Sequence, residues 1–140
     1  MSCMSDKTFL DTNILVYAVD EDDAPRRVAC RAVIASIAAE GGGVISTQVL
    51  QEFYVAATRK LGMPPLAAKA VLKTFAVFEI VHVTPELIQG AIDCSVLNTL
   101  SFWDALIIAA AASAGCARVL TEDLNAGQTV LGVAIENPLG

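Results

Sequence analysis

One histidine, His82, and one tryptophan, Trp103, are all that 140 residues hold of either type, and only 17% of the chain is charged. Each shortage excludes something. Chemistry that runs on a pair of histidines has no second partner here. The four cysteines, Cys3, Cys30, Cys94 and Cys116, show neither CxxC spacing nor a histidine cluster nearby, which argues against a zinc site. A disulfide framework is also not expected, because a chain this long builds a core without staples; reduced, buried thiols are the reading. Nine Lys and Arg against fifteen Asp and Glu leave a net charge of −6, too acidic for a general nucleic-acid scaffold gripped by clustered cations. No GxGxxG, GxxxxGK[ST] or GxSxG occurs, so dinucleotide, P-loop and nucleophile-elbow readings lack their glycines. MSCMSDK at the start has an acid and no apolar segment, unlike a signal peptide. The longest apolar stretch, ALIIAAAASAGCA, is too short to span a bilayer. The expectation is a cytoplasmic protein with no membrane association.

Apolar residues are plentiful instead, at 55% of the chain with a mean hydropathy of +0.60. One domain over residues 1–140 is expected, with some apolar area facing a partner chain. Lys7 to Leu10 reads as a buried strand that turns into a helix past Asp11. Pro25, after the acidic EDD, opens a helix to Glu40, stopped by three glycines. VIS follows as a strand, then Thr47 to Leu61 shows helical apolar spacing at Val49, Leu50, Phe53, Ala57 and Leu61. Gly62 and the Pro64-Pro65 pair break that helix, and Leu66 to Phe78 begins another. Ile80 to Val83 reads as a strand containing His82. Helices then start at Pro85 and Ser101, and RVLT and GVAI are the last strand candidates. Strands alternating with helices imply an α/β fold: a central parallel sheet of four to five strands with helices on both faces. Ligands of such sheets bind beyond the carboxyl ends of the strands.

Four acids interrupt apolar or element-ending sequence: Asp11, Glu52, Asp104 and Asp123. Each has an ordinary explanation. Asp11 could cap the following helix, and Glu52 could be a solvated helix-face acid. Ser101 and Asp104 stand at capping-box spacing, and Asp123 in TEDLNAG could belong to a turn. Taken together they are harder to dismiss, because two follow strands and two lie on early turns of helices, which face one edge of a parallel sheet. Carboxylates gathered there repel one another unless a cation holds them, and hard divalent ions with oxygen ligands suit that role. Such an ion can activate water and neutralise charge on a phosphodiester. Asp93, on the polar side of its helix with Glu86 and Gln89, is read as solvated surface.

FLDTNILVYA, ISTQVLQEF, LSFWDALIIAAA and LTEDLNAGQ with GVAIENP, in that order, resemble the PIN-domain ribonucleases, especially the small VapC-type toxins of toxin–antitoxin pairs. The resemblance runs from Phe9 to Pro138. It implies a PIN fold and a Mg2+- or Mn2+-dependent endoribonuclease that hydrolyses RNA and leaves 5′-phosphate and 3′-hydroxyl ends. By position, Asp11 and Asp104 match the family's principal metal ligands. Asp123 matches the fourth acid that joins them, and Glu52 matches the glutamate that completes the catalytic pocket. Asn13 and Thr121 match polar residues that orient the carboxylates, while Glu122 is expected to point elsewhere. Contacts to the RNA backbone must come from a few cations, such as Arg26, Arg27, Arg59, Lys60, Lys69 and Lys73. The family also implies a homodimer and a cognate antitoxin that covers apolar helix surface and inserts an arginine among the acids. The chain departs from many relatives only at its NPLG ending, which lacks an aromatic after the proline.

Three alternatives stand beside this reading. A phosphatase could form an aspartyl-phosphate on Asp11, but that chemistry wants a second aspartate two residues on, where this chain has Asn13. A PIN-like module could bind without cutting, against which the intact acid set argues. A nuclease could serve RNA processing rather than toxicity, against which the short chain argues.

Overall fold

The computed structural model describes residues 7–140; Cys3 and most of the MSCMSDK start lie outside them. Six strands form one sheet: β1 (Thr8–Leu10), β2 (Gly43–Ser46), β3 (Glu79–Val81), β4 (Arg118–Leu120), β5 (Thr129–Val130) and β6 (Val133–Glu136). Six α-helices connect them: α1 (Thr12–Tyr17), α2 (Ala24–Glu40), α3 (Thr47–Arg59), α4 (Pro65–Thr74), α5 (Pro85–Asn98) and α6 (Phe102–Ser113). The strand order is β3-β2-β1-β4-β6-β5, and every neighbouring pair is parallel except β5 with β6. Helices α1–α4 pack as one group and α5 with α6 as another, and because the chain crosses back over the sheet from β3 to β4 the usual crossover hand puts the two groups on opposite faces.

The sheet is thus wider than the four to five parallel strands expected. The added strand, β5, has two residues and pairs Val130 with Val133 across a two-residue turn. Leu131 and Gly132 both have positive φ there, as a tight hairpin turn requires. A leucine in that conformation gives little warning in sequence. β3 starts one residue earlier than read and ends at Val81, because its register sets Glu79 against Val44 and Val81 against Ser46. His82 therefore follows the strand and is exposed.

Burial explains the strands. β1, β2 and most of β4 are covered on both faces, with Phe9, Leu10, Val44, Ile45 and Val119 fully enclosed, as strands of a parallel sheet must be. Helix α6 is buried at every position from Ala105 to Ala111, so its alanines face the sheet on one side and α5 on the other. The other cysteines, Cys30, Cys94 and Cys116, are free and buried. No single helix among the described residues is long and apolar enough to cross a membrane.

The glycine stop after α2 has two parts. Gly41 and Gly42 have positive φ. Gly43 lies inside β2 in ordinary strand geometry, and a Cβ there would fall 2.6 Å from Phe78 and 2.8 Å from Ile37. Gly43→Ala should lower the urea midpoint by an amount equivalent to about 1–3 kcal/mol, the scale of overpacking a core. An unchanged midpoint would mean that Phe78 and Ile37 yield freely.

Candidate active site

The direction of travel across the sheet reverses at β1: β2 and β3 extend it one way, β4 and β6 the other. A crevice opens at such a switch point beyond the carboxyl ends of the strands. Asp11 follows β1 and Thr121 follows β4, so both stand at its mouth. The Asp11 amide still donates to the Leu120 carbonyl at 3.0 Å, which continues the sheet for one residue and holds the side chain against the chain leaving β4. Asp11 is 6% exposed. One of its oxygens, Oδ1, accepts from the Thr12 amide at 2.7 Å, so it does cap α1. The other, Oδ2, accepts from the Thr121 hydroxyl at 2.8 Å. Burial pushes the Asp11 carboxyl up to about 6. The Thr121 and Thr12 hydrogen bonds oppose that shift, and the negative charges of Glu52 and Asp123 add to it.

Glu52 reaches the same crevice from α3. Its Oε1 accepts from the Thr12 hydroxyl at 2.7 Å, and its Oε2 from the Gln48 amide at 3.1 Å. It is half-buried and doubly held rather than a loose acid on a helix face. Gln48, one turn earlier on α3, is 4% exposed, and its Nε2 also donates to the Trp103 carbonyl at 3.2 Å. That contact ties α3 to the first turn of α6, which carries Asp104. Ser101 accepts from the Asp104 amide at 3.1 Å, giving one half of a capping box. The returning half is not formed: among the described residues the Asp104 carboxylate makes no hydrogen bond, so helix capping leaves it free.

Asp123 is fixed by its neighbours. Asn13 donates from Nδ2 to Asp123 at 2.9 Å and, more weakly, to the Thr121 hydroxyl at 3.4 Å, while its Oδ1 accepts from the Glu122 amide at 3.3 Å. The Asp123 amide in turn donates to Thr121 at 3.1 Å. Thr121 thus links two of the acids. Glu122 does point elsewhere. It accepts from the Tyr17 hydroxyl at 2.6 Å and from Arg26 at 3.1 Å, and the Arg26 guanidinium lies 5.2 Å from the centre of the Tyr17 ring. The Glu122 hydrogen bond is the main reason the Tyr17 hydroxyl is raised to about 12.

Of the sequence candidates, Asp11, Glu52, Asp123, Asn13 and Thr121 form one connected network; the Asp104 carboxylate stays outside it, and only the backbone of its neighbour Trp103 is tied in, through Gln48. Arg26 is occupied by Glu122 and Asp23, and Arg27 by Glu21 at 3.9 Å. Arg59 and Lys60, at the far end of α3, are exposed and lie about 10 Å along the helix from Glu52. Asp93, Glu86 and Gln89 are exposed on α5. Sequence reading passed over two residues, Thr12 and Gln48. Gln48 stands four before Glu52 on a helix, a spacing at which side chains meet, and Thr12 stands beside Asp11.

The donor set suits a hard cation in kind: carboxylate oxygens, one of them buried with a raised pKa, beside a buried amide oxygen, Gln48 Oε1, that has no hydrogen-bond partner. An orphaned buried acceptor costs about 1–3 kcal/mol. As the side chains stand, no three His, Cys, Asp or Glu among the described residues are close enough together to hold one ion.

The PIN domain family matches residues 8–129, and the chain belongs to that family. In fold it is similar to VapC20 of Mycobacterium tuberculosis, a toxin that cleaves the sarcin–ricin loop: TM-score 0.67, 24% identity, 81% of this chain and 87% of that one. It is also similar to DNA-bound VapBC from Salmonella typhimurium, with a TM-score of 0.69, 20% identity, and 95% and 98% of the two chains covered. VapBC2 of Rickettsia felis, bound to a DNA fragment from its promoter, gives 0.68, 18% identity, and 93% and 97% covered. No curated protein sequence matches this one.

Proposed function

We propose that this chain, as one PIN domain over residues 1–140, is a metal-dependent endoribonuclease acting in the cytoplasm as the toxin of a type II toxin–antitoxin pair. One observation carries the reading: the acids that look unrelated in sequence are wired together at the switch point, Asp11 to Asp123 through Thr121 and Asn13, and Glu52 through Thr12. Asp11, Asp104 and Asp123 would hold Mg2+ or Mn2+. Such an ion, when bound, supplies charge neutralisation at a phosphodiester and a more acidic water.

The chain's own residues prepare that site. Thr121 and the Thr12 amide hold the two oxygens of Asp11 in place, leaving lone pairs on each for a cation. The Thr12 hydroxyl keeps Glu52 oriented through its Oε1. Asn13 restrains Asp123 on an otherwise exposed loop, a support that metal-site carboxylates commonly need. Backbone contacts to RNA fall first to Arg59 and Lys60, because Arg26 and Arg27 would have to exchange Glu122, Asp23 and Glu21 for phosphate.

Likeness to VapBC assemblies supports a cognate antitoxin, and a homodimer is proposed beside it. So do the exposed apolar side chains Val28, Leu66, Val96, Leu97 and Trp103, which would be covered in such complexes. The antitoxin would present an arginine to the acids. The test is labelled RNA incubated with the protein and Mn2+, with and without EDTA. Cleavage should stop in chelator, and expression should be toxic unless a neighbouring open reading frame is co-expressed. Cleavage that persists in EDTA overturns the metal-dependent reading, and harmless expression overturns the toxin role.

A further inference from the structure

Gln48 is a polar side chain that the proposed chemistry does not itself require. It is buried at the junction of α3 and α6, 4% exposed, with its Nε2 shared between Glu52 at 3.1 Å and the Trp103 carbonyl at 3.2 Å. Both neighbours are acceptors, which sets the amide's orientation: turned over, its oxygen would face a carboxylate and a carbonyl. In the orientation that remains, Oε1 is buried with no partner. Buried polar groups are nearly always paired, so one that is not calls for a reason. An apolar residue would fill this place without leaving an orphan, and packing alone gives no cause for glutamine.

We infer that Gln48 is a positioning residue, which holds Glu52 and the Asp104-bearing turn of α6 in one arrangement so that Asp104 is set toward the crevice where it would help hold a cation. The inference rests on the reading given under Proposed function. Glu52 and Asp104 lie on separate helices, and nothing else in the described hydrogen-bond network spans from Glu52 to the start of α6. A neutral donor between them restrains both without adding charge. An unpartnered buried oxygen on the same amide is a pattern expected where function and packing conflict.

The test is Gln48→Met, similar in length and able to fill the space, with Gln48→Leu beside it, in the full chain. Mn2+ affinity is measured by electron paramagnetic resonance of free ion, thermal unfolding is followed in EDTA, and RNA cleavage is resolved into kcat and KM. Mn2+ should bind roughly 10–100-fold more weakly, the usual effect of losing a residue that supports ligands. The loss in cleavage should fall on kcat, and the unfolding midpoint should stay level or rise. An unchanged Mn2+ affinity overturns the inference. So does weaker binding that comes with an equal fall in the midpoint, which would make Gln48 a structural residue only. A parent protein that neither binds Mn2+ nor cuts RNA sinks the proposed function and this inference with it. A parent that does both, matched by Gln48→Met, sinks the inference alone.

Discussion

Asp11→Asn should cut RNA far more slowly and yet, in EDTA at pH 8, unfold at a higher temperature than the parent. The Asp11 carboxyl is raised from 3.8 to about 6, chiefly by burial. Between those pH values the unfolded chain has released this proton while the folded chain still holds it. Stability therefore falls as pH rises through the window from about 4 to 6, and above it the ionised carboxylate burdens the fold by about 3 kcal/mol. Asparagine cannot ionise, and it can keep partners in the Thr12 amide and the Thr121 hydroxyl. The variant should gain roughly 10 °C at pH 8 and little at pH 4, where the folded Asp11 carboxyl still holds its proton. Mn2+ should raise the parent's midpoint and not the variant's, by mass action on the folded state. Cleavage should drop by roughly 100-fold or more, the scale of losing one preorganised electrostatic group. A stability gap that is the same at both pH values would show that ionisation of Asp11 is not its source.

Phe53→Ala should be among the most damaging single changes to the fold. Phe53 is fully buried, one residue past Glu52, and its ring meets that of Phe75 edge-on at 5.0 Å and 82°. Truncating a core phenylalanine costs about 3–5 kcal/mol, against a total stability of about 5–15 kcal/mol for a domain. The urea midpoint should fall accordingly, and Phe53→Leu should recover much of the loss because the cavity is smaller. The same residue that anchors α3 aims Glu52, so the folded fraction of Phe53→Ala should also cut RNA poorly. A midpoint close to the parent's would mean that α4 and the Phe75 turn collapse onto the gap.

Helix boundaries were largely legible because their signals are local. Pro25, Pro85 and Ser101 mark starts, Gly62 and Gly115 mark stops, and the apolar spacing of α3 states which face is buried. β5 was not legible, since two residues carry no periodicity and its turn puts Leu131 at positive φ. All four acids could be suspected, for standing in apolar company or at the end of an element. Their wiring could not, because Thr121 and Asp11 are 110 residues apart and meet only across the sheet. Glu122 and Asp123 are adjacent carboxylates, and the packing of Tyr17 and Arg26 against one of them decides which remains by the site.

The amino-acid sequence by itself determined the alternation of strands and helices, the buried apolar runs and the presence of too many acids among them, because propensity and periodicity act over a few residues. Which carboxylates meet, which are held and which is left free were decided only by the tertiary structure. Strand order and crossover handedness set contacts between residues far apart in the chain, and short-range pattern carries no record of them.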